Sequence, residues 1–202
     1  MSETGGYTAP MGNREDLLAG ARQVIMERGA AKATAREIAA AAGVSLAAIG
    51  YHFGSKDQLV TEALNVALGT AIGDGMSELI RRGAGAPPLE AFAQTWNDVP
   101  AIFAANREAM IASIENAVRV IRDPSSQEQM GAAIAEARRS IAQDLRAAHP
   151  ALSEEQADSV AELSFALVQG LALLWLLSPD GSVPSGDRLA TAVAALAPRP
   201  GD

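Results

Sequence analysis

The segment TAREIAAAAGVSLAAIGYHFGSKDQL, Thr34 to Leu59, decides how the rest of this 202-residue chain is read. Thr34 with Glu37 three residues on has capping-box spacing, and Ile38, Ala39 and Ala42 carry a short helix to Gly43. Gly43 can adopt a positive φ and end that helix. Ser45 is an N-cap type for a second helix, Leu46 to His52, which Phe53 and Gly54 close. Two short helices joined through Ala-Gly-Val-Ser form a helix-turn-helix pattern. Val44 faces inward and sets the angle between the helices, with Ile38, Ala39 and Ile49 completing a small core. In such motifs the N-terminal part of the second helix enters the major groove of DNA, and flanking residues hold phosphates.

Outward from this segment almost everything reads as helix, because Ala is abundant, no stretch alternates with period two, and Gly and Pro fall between periodic segments. A first helix runs from an N-cap at Asn13 to Glu27 or Arg28, stopped by Gly29, with Leu17, Leu18, Ala21, Val24 and Ile25 on its apolar stripe. Ser55 caps a long helix from Lys56 to about Arg82. Further helices are expected from Pro88 to about Ala104, with Pro100 kinking or dividing it, from Asn106 to about Arg122, and from Asp123-Pro124 to about Ala148. A second capping box, Ser153 with Gln156, opens a helix that ends before Pro179, and a short one from about Gly186 to Leu196 closes the fold. The expected fold is all-α with nine helices.

The net charge of −8 looks wrong for a nucleic-acid binder, but the acidity is unevenly placed. Residues 13–60 carry six cations and five anions, whereas residues 61–202 carry ten cations and eighteen anions. DNA affinity must then come from a few placed contacts and not from a broad positive field. There is no Cys, which excludes disulfides, thiolate metal sites and a Cys nucleophile, and fits a reducing, cytoplasmic setting. The N-terminus shows no basic segment followed by an apolar one, so no signal peptide is read there. The longest apolar run, Leu163 to Leu177, falls short of the roughly 20 residues that span a bilayer and reads as a core helix. Neither a G-x-S-x-G, a phosphate-binding G-x-x-x-x-G-K, nor a His-centred triad is present, so no enzyme is expected. Glu154, Asp158 and Glu162 share one solvated helix face, and His149 has no second His at ligand spacing, so neither a metal site nor a cofactor is expected.

The spacing Thr34, Ile38-Ala39, Ala42-Gly43-Val44-Ser45, Tyr51-His52-Phe53, Lys56 and Leu59 resembles the TetR family of transcriptional repressors, strongly from about Arg14 to Val60. The resemblance implies that Thr34 caps its helix and gives its hydroxyl to a phosphate. It places Lys56 at a helix start, where a cation and free N–H groups attract phosphate. It turns Leu46, Ala47 and Ala48 toward bases, with Tyr51 and His52 contacting backbone or base edges. Arg36 and Ser45 complete the expected DNA-contacting set. Two positions depart from the common pattern: Ala47 stands where Gly is frequent, and Gly50 where a polar or aromatic residue is frequent.

The run LSFALVQGLALLWLL, Leu163 to Leu177, is apolar nearly all round and needs cover on several faces. The resemblance implies a homodimer through the last two helices, placing Phe165, Gln169, Gly170, Leu173, Leu174 and Leu177 at the interface. It also implies an effector pocket among the middle helices. Phe92, Trp96, Phe103 and Met110 form an inward stripe there, with Asn106, Glu115, Asn116 and Arg119 as polar candidates. Gly69, Gly73 and Gly75 read as close packing against a neighbour, as an early end of the long helix, or as a compliant joint in it. The expected layout is a tail at 1–12, a DNA-binding domain at 13–55, a regulatory and dimerisation domain at 56–197 and a tail at 198–202. The expected function is a ligand-responsive repressor on a near-palindromic site in double-stranded DNA, with no membrane partner. The alternatives are a ligand-blind DNA-binding protein or a helical small-molecule carrier or enzyme.

Overall fold

In a computed structural model the described residues are 12–196, with side chains from 14 onward; residues 1–11 and the tail at 198–202 lie outside them, and Asn13, expected as the cap of the first helix, falls inside that helix instead. The regular structure of the described residues is all helical: α1 Gly12–Arg28, α2 Ala35–Ala41, α3 Ala47–Phe53, α4 Lys56–Leu68, α5 Asp74–Arg82, α6 Pro88–Ala105, α7 Arg107–Arg122, α8 Pro124–Ala148, α9 Glu154–Leu177 and α10 Gly186–Leu196. A π-helical turn, Gly69–Gly73, joins α4 to α5 without a break, so nine helices are present among the described residues.

The chain divides into two compact units, one reaching to Leu64 and taking in Ala112–Gln127, the other made of Asn65–Ile111 and the chain from Glu128 onward. These units do not divide at 55/56, because the start of α4 and most of α7 contribute to the first of them. Its core is the stripe of α1 (Leu17, Ala21, Val24, Ile25) closed by Ile38 and Ala39 of α2, Ile49 and Phe53 of α3, and Leu59, Val60 and Ala63 of α4. Leu17, Ile38 and Leu59 have no solvent exposure at all. Gly20 of α1 leaves no room for a Cβ, which would lie 2.9 Å from the Ile38 carbonyl oxygen and 2.8 Å from Ala42 N.

The second unit is built around α6, whose Trp96, Val99 and Phe103 are at most 2% exposed. Pro100 sits inside α6, yet the helix is undivided. Burying three large side chains contributes roughly 1.5–3 kcal/mol each, more in sum than the ~3 kcal/mol a mid-helix proline costs. Of the three glycines expected as packing or joint, Gly75 packs: a Cβ there would meet Ile102 at 2.8 Å. Gly69 and Gly73 bound the π turn and face open space.

Candidate functional site

The helix-turn-helix is set up by local chemistry. The Thr34 side chain accepts the Glu37 N–H (3.3 Å), and the Glu37 carboxylate accepts the Thr34 N–H (3.1 Å), so both halves of the capping box form. The Thr34 hydroxyl itself donates to the Glu37 carboxylate (2.8 Å). That bond, with the Thr34 N–H and the nearby Arg28 charge, holds the Glu37 carboxyl below its ordinary 4.5. The hydroxyl expected to reach a phosphate is therefore already engaged. Gly43 takes φ 67° and turns the chain, and Val44 N–H closes onto the Ala39 carbonyl (3.0 Å).

Ser45 does not cap α3. The cap position falls on Leu46, which has no side-chain acceptor, and the first turn closes through the backbone, Ala48 N–H to the Ser45 carbonyl and Ile49 N–H to that of Leu46. Leu46, Ala47, Gly50 and Tyr51 form the outer face of α3, with Tyr51 86% exposed. Ala48 is corrected from base contact to core: it is buried beside Ile49 and Phe53, because it falls on the inner side of the helix. His52 is half-buried, its ring edge-on to Tyr51 at 4.8 Å between centroids. Arg36 is exposed on α2.

Ser55 caps α4 by accepting the Gln58 N–H (3.1 Å). Lys56, the next residue, is half-buried, and its Nζ lies 3.0 Å from Asp57 Oδ1 and 3.4 Å from the Ala33 carbonyl. Asp57 in turn lies under Arg119 of α7, whose Nη1 is 2.6 Å from the same Oδ1. Burial raises the Asp57 carboxyl, but the hydrogen bond from Lys56 and the charge of Arg119 outweigh that and hold it below its ordinary 3.8. Arg119 also donates to the Asp57 carbonyl (3.0 Å), to Thr61 Oγ1 (2.9 Å) and, through Nε, to Asn116 Oδ1 (3.1 Å). Asn116 Nδ2 donates to Thr61 (3.2 Å), and both residues are buried. A partly buried polar network in the first unit thus anchors the start of α4, where Lys56 stands.

The same network corrects the expected effector residues. Asn116 and Arg119 hold the first unit together, and Glu115 is exposed there, because this part of α7 belongs to that unit. In the second unit a cavity of about 250 Å³ lies between α5, α6, α8, α9 and α10. Phe92 and Trp96 line it, with Met76, Ile80, Leu145 and Leu163. Phe103 and Met110 do not: further along the same stripe, they are buried in the core. Asn106 caps the end of α6, its Nδ2 donating to the Ile102 carbonyl (2.8 Å). His149 and Ser164, not singled out by spacing, also line the cavity.

On α9, Leu173, Leu174 and Leu177 are 44–71% exposed, Gln169 is exposed, Phe165 is half-buried and Gly170 faces open space. The helix is long and apolar enough to cross a membrane by length and composition alone. Glu154 and Glu162 pair with Arg146 and Arg138 of α8, and no metal-holding cluster occurs among the described residues.

Residues 17–63 match the family profile "Bacterial regulatory proteins, tetR family", and residues 99–199 match "BetI-type transcriptional repressor, C-terminal". The chain belongs to the TetR family. Its helix-turn-helix unit is the family's DNA-binding domain, and the protein is a DNA-binding transcriptional regulator. No curated protein matches the chain. Among solved structures, a transcriptional regulator from Rhodococcus sp. Rha1 is 26% identical over 90% of this chain and 92% of its own, with a TM-score of 0.53. The TetR family repressor AlkX from Dietzia sp. strain DQ12-45-1b, implicated in biodegradation of n-alkanes, is 18% identical, covers 95% of both chains and has a TM-score of 0.64. The multidrug binding protein EbrR, complexed with imidazole, is 19% identical over 95% of this chain and 98% of its own, with a TM-score of 0.62. At 18 and 19% identity the latter two speak for the fold alone.

Proposed function

We propose that this TetR-family protein is a cytoplasmic, ligand-responsive repressor that binds a near-palindromic operator as a homodimer and leaves it when a small molecule fills the second unit. The observation carrying this reading is the pairing of two features in one chain: an outward-facing α3 anchored by capped neighbours, and a separate unit with an apolar cavity. The uncovered apolar face of α9 supports the dimer, since a second copy removes from water what one copy leaves exposed. Twofold symmetry then presents two α3 helices to half-sites about one helical turn apart. Lys56 meets a phosphate, with the exposed Arg36 beside the turn. An effector releases DNA only by its difference in affinity between the two arrangements; moving a population from 1:99 to 99:1 takes about a 10⁴-fold preference. We place the compliance in the π turn Gly69–Gly73, and unchanged induction in a Gly69→Ala, Gly73→Ala variant excludes it.

The test is fluorescence anisotropy with the DNA upstream of the protein's own coding sequence, between 50 and 200 mM salt. The expected result is a site-specific complex of two chains per site that weakens as salt rises. Equal affinity for that DNA and for scrambled duplex overturns the reading.

A further inference from the structure

The cavity of the second unit has a chemistry that narrows its occupant, and the argument here rests on the reading that a small molecule occupies it. No Asp, Glu, Lys or Arg lines it. Besides the Trp96 indole and the Met76 thioether, the wall carries heteroatom-bearing side chains only at Thr95 of α6, Ser164 of α9 and His149 in the turn between α8 and α9. These three are 8%, 5% and 8% exposed, and none makes a side-chain hydrogen bond within the described residues. That is unusual for a buried hydroxyl on a helix. Elsewhere in this chain Ser159 and Thr191 donate to the carbonyls four residues back, both at 2.8 Å. Thr95 and Ser164 leave that option unused, so both hydroxyls are free for an occupant of the cavity these residues line.

Size adds a second limit. A cavity of ~150 Å³ admits benzene, so by proportion about 250 Å³ takes about ten non-hydrogen atoms. A charged group would be buried there without a counter-ion, at heavy cost. We infer that the cavity takes a neutral, mainly hydrocarbon molecule of about ten non-hydrogen atoms, with one hydrogen-bonding oxygen that meets Thr95, Ser164 or His149.

The chain's two tryptophans supply the readout, since Trp96 lines the cavity and Trp175 does not. The experiment follows Trp96 fluorescence in a Trp175→Phe chain, and calorimetry on the unaltered protein, with the 1-alkanols from hexanol to decanol, octanoate and octylammonium as probes. Alkanol affinity is expected to rise about fourfold per methylene and to stop rising near nine carbons. Octanoate and octylammonium are expected to bind at least tenfold more weakly than 1-octanol. The Thr95→Val, Ser164→Ala pair is expected to weaken 1-octanol roughly fivefold. Octanoate binding as tightly as 1-octanol overturns the inference by making His149 an anion partner, and equal binding of octylammonium overturns it as well. So does the absence of any response to every probe, or affinity that keeps climbing through decanol. None of these measurements contains DNA: alkanol binding without operator binding sinks the repressor reading alone, and operator binding without a response at Trp96 sinks this inference alone.

Discussion

Arg119 Nη1 lies 2.6 Å from Asp57 Oδ1, and Lys56 Nζ lies 3.0 Å from the same oxygen. One carboxylate therefore holds two cations, one on α7 and one at the start of the helix that follows the DNA-reading motif. Arg119→Met removes the guanidinium that Thr61 and Asn116 were built around. Hydrogen bonds to charged groups are worth about 1.5–3 kcal/mol each, and the Arg119 side chain is 28% exposed, so a loss of about 1–3 kcal/mol is expected. Urea unfolding of the variant measures it, and an unchanged midpoint would remove the network from the account.

Acid should act on the same group. Asp57 and Glu37 both sit below their ordinary values of 3.8 and 4.5. A depressed carboxyl gives stability that is complete above the unfolded-state value and is lost as pH falls through the folded one. The first unit is expected to keep full stability from neutral pH down to about 5 and to weaken below about 4. Asp57→Asn should flatten that acid limb in a series of melting curves between pH 3 and 7, whatever its effect at neutral pH.

Lys56 is the predicted phosphate contact, already positioned by Asp57 and the Ala33 carbonyl. Lys56→Gln is expected to weaken binding about equally on operator and on scrambled DNA, and to reduce the slope of log affinity against log salt by about 1. Loss of discrimination with an unchanged slope would give Lys56 a different role.

Assembly has its own test. Leu174→Glu puts a charge on the exposed apolar face of α9 and touches none of the cavity wall. Sedimentation should show a single chain in place of two, with thermal stability of the isolated chain little changed. A dimer that survives the substitution excludes this face.

How much of this was legible in the sequence follows from how local each feature is. The turn at Gly43 and the capping boxes of Thr34 and Ser153 involve residues three or four apart, and they form as spacing predicts. The face of α3 depends on what packs beneath it, which is why Ala48 was misplaced toward DNA. The cavity draws on residues from Met76 to Val193, and no short-range pattern brings them together. Phe92 and Trp96 were found because they share a stripe; Thr95, His149 and Ser164 had no such signal. Arg119 reads from the sequence as a polar candidate for the effector pocket, because its partner Asp57 is 62 residues away and gives no local signal. Only the fold shows that α7 contributes to both units.

Gly186 shows a constraint that composition hides. A Cβ there would fall 1.9 Å from the Ala93 carbonyl oxygen, and its N–H already donates to Asn97 Oδ1 at 2.8 Å. Gly186→Ala is expected to lower stability by about 1–3 kcal/mol or more, while Gly131→Ala, exposed on α8 where the space is open, should be neutral or slightly stabilising. Paired thermal melts decide, and equal melting temperatures would show that α10 can shift without cost.

Gly50 sits on the outer face of α3 with nothing within 4 Å of where a Cβ would stand. The reading helix thus carries an unwritten letter: any side chain fits, and nearly every one would also favour the helix. If α3 reads bases as proposed, a change there to Asn, Gln or Arg is expected to add a base preference without disturbing the fold.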